Sequence, residues 1–113
     1  MAAAIAINNF RTITYQASTG EPQVVYTAPT GYTAVFLLVQ ATNIGPQTKT
    51  ISFYHKRGVV TTEIVLELPI AAGDTLNLLP GKLVLETGDA ISVSANTTTD
   101  IKFIASVLET SNF

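Results

Sequence analysis

The chain has 113 residues, no cysteine, a formal net charge of −2, and only 12% Asp, Glu, Lys and Arg. This length suits one domain with a single core, and the missing thiols exclude disulfides, thiol redox chemistry and cysteine-held metal. Charge at half of the roughly 25% usual in soluble domains, with so few cations, excludes the basic surface that nucleic acid requires. No run of 18 or more apolar residues offers a transmembrane helix.

Residues 1–9 read as an arm preceding one domain at 10–113. The opening MAAAIAI has no basic region and passes straight into the polar NNFRTIT, so it is not read as a secretory signal. Ile5 and Ile7 make the arm apolar, and it is expected to add to a sheet edge of its own domain or of a neighbour.

From there the hydrophobic period is two. Strands are predicted over 11–16, 23–27, 33–43, 48–56, 61–69, 75–79 with 82–86, 89–95 and 101–109. In TEIVLELP, Ile64, Leu66 and Leu68 fall on one face and Glu63 and Glu67 on the other. Turn residues punctuate the runs at Gly20–Pro22, Pro29–Gly31, Asn43–Pro46, Arg57 with Gly58, Gly73 with Asp74, Pro80 with Gly81, and Gly88 with Asp89. About eight short strands without helices predict an all-β antiparallel sandwich, of jelly-roll or immunoglobulin-like topology.

Two strands carry more apolar surface than one core face needs. In TAVFLLVQAT, Val35, Leu37 and Val39 are assigned to one face and Phe36 and Leu38 to the other. In IKFIASVLE, Ile104 and Leu108 oppose Ile101, Phe103, Ala105 and Val107. A two-layer sandwich buries one face of each sheet, so the surplus face is expected to meet a loop, the arm or another chain. Ile5, Ile7, Phe36, Leu38, Ile104 and Leu108 are therefore candidate interface residues.

Catalytic chemistry finds no footing. His55, the single histidine, precedes Lys56, Arg57 and Gly58 at a strand end and reads as an exposed turn residue whose cationic neighbours offer no orienting carboxylate. The three basic side chains together could grip an acidic patch on a protein partner. Glu63 and Glu67 in a regular strand stand about 13 Å apart, beyond the ~5–10 Å of a glycosidase pair. Asp74, Glu86, Asp89 and Asp100 read as turn formers, with no calcium-loop spacing among them. The NTT at Asn96 reads as a polar loop. No phosphate-binding or metal-binding motif occurs, and no cofactor is expected.

The segments VVYTAPTGYTAVFLLVQATN (24–43) and LPIAAGDTLNLLPGKLVLETGDAISVSA (68–95), with the last strand, give the chain a resemblance to small β-sandwich virion structural proteins of tailed phages, cyanophages among them. The shared pattern covers about two thirds of the chain and is mostly strand and turn grammar. The resemblance implies a non-catalytic part of the particle, a capsid decoration or cement protein, or else a tail or neck component. It also implies a virion location and other virion proteins, capsid or tail, as partners. A neutral surface, with little repulsion between copies, suits a homo-oligomer. The alternative is a host-surface or carbohydrate-binding module, for which Tyr15, Tyr26, Tyr32 and Tyr54 are the available aromatics.

Overall fold

The computed structural model describes residues 8–17, 20–96 and 99–112. The regular elements among them are all strands: β1 (Asn8–Gln16), β2 (Gln23–Thr27), β3 (Tyr32–Asn43), β4 (Lys49–Arg57), β5 (Val60–Ile70), β6 (Thr75–Asn77), β7 (Leu83–Leu85), β8 (Ala90–Ala95) and β9 (Ile101–Ser111). The first sheet runs β1-β9-β3-β6, with β7 also on β3, and the second runs β2-β8-β4-β5. Pairing is antiparallel and nested: β1 with β9, β2 with β8, β3 with β6 and β7, β4 with β5. A long hairpin folded over on itself in this way is a jelly roll, which selects one of the two topologies that the sequence pattern left open. The stretch from 75 to 86 divides around Pro80 and Gly81, so nine strands stand where about eight were expected. β1 takes in Asn8 and Asn9, which the sequence pattern assigned to the arm, while Ile5 and Ile7 lie outside the described residues.

Alternation builds the core, and two irregularities redirect it. Along β9 the odd-numbered residues from Ile101 to Ser111 are buried, and even-numbered ones face out. β3 begins in the same style, with Ala34 and Phe36 inside, but its register on β9 shifts between Phe36 and Leu38. The extra residue, Leu37, is displaced outward and reverses the parity, so Val39, Ala41 and Asn43 are the next residues inside. Phe36 is therefore a core residue, fully buried against Tyr26, and is withdrawn from the candidate interface. β5 is irregular too: its register on β4 shifts on both sides of Phe53, and Glu67 adopts φ 49°. Leu66, expected inside with Ile64 and Leu68, is 62% exposed for that reason. The same irregularity removes the regular-strand spacing assumed for Glu63 and Glu67. The β4–β5 hairpin itself is tight. Gly58, at φ 59°, is the first of its two loop residues, a position that an L side chain fills poorly.

The two sheets meet through aromatic pairs, Tyr26 with Phe36 edge-on at 5.4 Å and Phe53 with Phe103 tilted at 5.9 Å, within an aliphatic core of Val39, Ile51, Leu85, Ile91 and Val107. Each fully buried side chain of this size contributes about 1.5–3 kcal/mol relative to exposure. At one end of the sandwich Asn43, fully buried, ties the sheets together. Its Nδ2 donates to the carbonyls of Gln47 (2.7 Å) and Ile70 (2.9 Å), and its Oδ1 accepts from the Gly45 N–H (2.9 Å). Because Ile70 lies in the second sheet and Asn43 in the first, the side chain is a crosslink. Replacing it with alanine leaves buried backbone groups unpaired at about 1–3 kcal/mol each. Asn43→Ala is expected to lower stability by about 3 kcal/mol, read as a fall in the urea midpoint with an unchanged slope; a loss below about 1 kcal/mol would show that the crosslink is dispensable.

Candidate functional site

The register identifies the outward residues of the first sheet. Phe10 opposes Leu108, Leu108 opposes Val35, and Val35 opposes Val84, so one apolar row crosses β1, β9, β3 and β7. Phe10 is 77% exposed and Val84 53%; Val35 and Leu108 between them are half-buried. The displaced Leu37, the half-buried Leu38 opposite Ser106, and the exposed Ile104 adjoin the row. Around it the paired outward positions are Asn, Gln, Thr and Ser; the one charged side chain among the described residues at those positions is Lys102. Lys102 borders an open cavity of about 430 Å³ with Thr14, Gln16, Thr42 and Ile104. Three candidate residues, Leu38, Ile104 and Leu108, thus come together on one face. Phe10, Val35 and Val84 join them without having been singled out in the sequence. Cross-strand register is the signal that finds them, and it becomes readable only once the strand neighbours are known.

The basic run divides. His55 and Arg57 continue the inward parity of Phe53, whereas Lys56 shares the outward parity of Tyr54. At the end of the sandwich opposite Asn43, His55 and Arg57 converge on Asp89, only 3% exposed, from the turn between β7 and β8. Arg57 Nε and Nη2 donate to its two carboxylate oxygens at 2.9 and 2.6 Å, and Arg57 Nη2 also reaches Glu86 at 2.7 Å. His55 Nε2 lies 3.1 Å from Asp89 Oδ2, and the Glu86 N–H donates to the same oxygen at 3.0 Å. The expected exposed histidine without a carboxylate is instead half-buried with one. Two of the three side chains offered to a partner are already held by their own subunit. The arrangement locks a corner: an imidazole, a guanidinium and a backbone amide compensate one shielded carboxylate.

A second shielded carboxylate, Glu109, sits on the inner face of β9 and is 3% exposed. It accepts hydrogen bonds from Tyr26 Oη in the other sheet and from Arg11 Nη1 on β1 (3.2 Å). Burial, reinforced by Glu109, pushes the Tyr26 phenol above its ordinary range and keeps it a donor. Among the described residues no group of three or more His, Cys, Asp or Glu side chains could hold a metal ion, and no helix is long and apolar enough to cross a membrane.

No protein-family model matches the chain, and no curated protein matches it by sequence. Its fold is similar to that of solved structures. A chain from the Bacillus endospore appendages, described as disulfide-linked pili, is 14% identical and superposes with a TM-score of 0.54 over 98% of this chain and 96% of that one. A chain of the T13 infectious bursal disease virus particle is 10% identical, with a TM-score of 0.59 over 92% of this chain and 31% of that one. One from the Gx strain of that virus is 12% identical, with a TM-score of 0.55 over 92% and 32%. The chain thus spans about a third of the viral chains and nearly all of the pilus chain. At these identities the likeness is one of fold.

The Asp89 corner has a consequence in acid. Hydrogen bonds from Arg57 above all, then from the Glu86 backbone and His55, hold the Asp89 carboxyl well below the usual carboxylate range, against the opposing effect of burial. A carboxylate whose folded-state value is depressed adds stability above its unfolded value of about 3.9, and that stability is lost as pH falls through the folded value. Urea midpoints should therefore separate wild type from Asp89→Asn most at neutral pH and converge as the pH drops below about 4. A gap that stays constant with pH would rule out the ion pair as its source.

Proposed function

We propose that the chain is a non-catalytic structural subunit, joined to neighbouring subunits through the outer face of its first sheet. The observation that carries this reading is the row Phe10–Leu108–Val35–Val84, set in a face with almost no charge. Charge is the usual guard against association at a solvent-facing sheet, and burying unpaired charge is costly. A neutral, Thr-rich face with an apolar row avoids both repulsion and that cost, and has the composition of a buried interface. β1 strengthens the reading. It is a nine-residue strand at the edge of its sheet among the described residues, without proline or lysine, and its one charge, Arg11, is engaged by Glu109 of its own subunit.

The fold likeness to chains from pili and from viral particles supports assembly as the role. Without cysteine, these residues offer no disulfide link, so contact with neighbours is non-covalent. Within that class the finer reading is a virion component of a tailed phage, a decoration or cement protein reinforcing contacts between capsid subunits, for which the strand and turn pattern of residues 24–43 and 68–95 speaks. A tail or neck position uses the same surface. The arm, with Ile5 and Ile7, is assigned to attachment.

Phe10 and Val84 are exposed, so charge at both is tolerated by the fold and opposed by any interface. Phe10→Asp combined with Val84→Asp is expected to weaken self-association, or binding to particles that lack the protein, by at least about a hundredfold in sedimentation, equivalent to ~2.7 kcal/mol. Removing residues 1–7 should weaken attachment more than it lowers the urea midpoint. A wild-type chain that stays monomeric at every concentration and ignores such particles overturns the proposal.

A further inference from the structure

The outer face of the second sheet is built differently. Its central strands β4 and β8 place serines outward in register, Ser52 opposite Ser94 and Tyr54 opposite Ser92. Such small side chains give a low floor, along which Tyr54 lies with its Oη 3.1 Å from Ser94 Oγ. Both flanks rise. On one side stand Pro22 and Val24; on the other, the β5 irregularity brings Leu66 and Glu67 over the floor, fixed by the Glu67 N–H donating to Ser52 Oγ at 2.9 Å. Two cavities of about 260 and 190 Å³ result, and they share Tyr54 and Pro22 as walls. Asn96 and Glu67 line the larger, Lys56 and Thr61 the smaller. Ser92, 2% exposed at the wall of the smaller cavity, carries the one buried side-chain polar atom among the described residues without a hydrogen-bond partner.

We propose that this groove binds a neutral oligosaccharide, with the Tyr54 ring as its stacking platform. A pyranose offers an apolar C–H face to an aromatic ring and hydroxyls around its edge, and the groove supplies one ring surrounded by hydroxyls, an amide and a carboxylate. An extended peptide binds by adding a strand to a free backbone edge; a floor made of β4 and β8 offers none, because both strands are paired on each side. One carboxylate and one ammonium, in separate cavities, leave the groove without a net charge to select an ionic ligand. Glu67, strained at φ 49°, is held in that strain by the same hydrogen bond that shapes the wall. The groove lies on the opposite face from the apolar row, so its failure and that of the assembly reading are separable.

The test is titration of the ¹⁵N-labelled chain with maltohexaose, cellohexaose and chitohexaose. At least one is expected to shift the amides of Ser52, Tyr54, Glu67 and Ser94 in a saturable way and leave the Phe10–Val84 row unmoved. Tyr54→Ala should weaken that binding about tenfold or more, a loss of ~1.4 kcal/mol, whereas Tyr54→Phe, which keeps the ring, should stay within about threefold. If Tyr54→Ala loses its folded spectrum, Glu67→Gln, at an exposed position, gives the second reading, with an expected loss of about fivefold. No shift with any of the three sugars, shifts confined to another face, or a folded Tyr54→Ala that binds as wild type does each overturns the proposal.

Discussion

The arrangement of the molecule hangs on one extra residue in β3. Had that strand kept strict alternation from Ala34 and Phe36, then Leu38, Gln40 and Thr42 would be its next inward residues, and two polar side chains would enter the core without partners. The register shift between Phe36 and Leu38 displaces Leu37 and turns Val39, Ala41 and Asn43 inward instead. The cost of a local break in the ladder is offset by the apolar burial that follows, and by the avoided desolvation of Gln40 and Thr42. The same shift changes the outside: Leu38, which strict alternation would bury, faces out beside the row that Val35 carries ahead of the bulge.

Asn43 points inward for this reason alone, and its position explains how a sandwich of short loops stays closed. At its end the Asn43 amide spans from β3 to the Ile70 carbonyl of the other sheet. At the opposite end Glu109 binds Tyr26 across the sheets, and Asp89 gathers His55 and Arg57 to the turn before β8. Between these ends the contact is aromatic and aliphatic. The buried polar groups that tie one sheet to the other thus stand at the rims, where partners from both sheets are within reach, while the buried serines of β4 and β8 lie on the outward side of their sheet. Both shielded carboxylates are met by an arginine, whose forked donors suit such positions.

Alternation and turn residues made the strands and their boundaries legible, since side-chain period and Gly/Pro punctuation act over a few residues. They also exposed the surplus on Ile104 and Leu108, because β9 alternates without interruption. What they could not supply was the bulges. Leu37 and Leu66 look like any other strand residues, and their displacement is decided by the strands opposite, so the faces assigned to Phe36 and Leu66 came out reversed. The split of His55, Lys56 and Arg57 was within reach, since parity counted from Phe53 sends the first and third inward; what hid it was the adjacent glycine, which suggested a loop tip. Asp89 as their partner is a contact across 32 to 34 residues, and no local pattern encodes it.

The two outer faces of the sandwich follow opposite rules. On the first sheet, β9 and β3 carry Leu108 and Val35 outward, large enough to build a raised apolar row, and Phe10 and Val84 extend it to both sides. On the second, β4 and β8 carry serine, so the surface sinks, and the irregular β5 stands over it as a wall. A raised neutral row gains free energy by meeting another flat surface and excluding water, whereas a sunken hydroxylated groove gains by enclosing a small polar chain. Among the described residues the sheets meet through the core and the rim ties, with the two outer faces on opposite sides of it, so engaging one leaves the other in place. A subunit held in an assembly by its first sheet would still present the second to solvent.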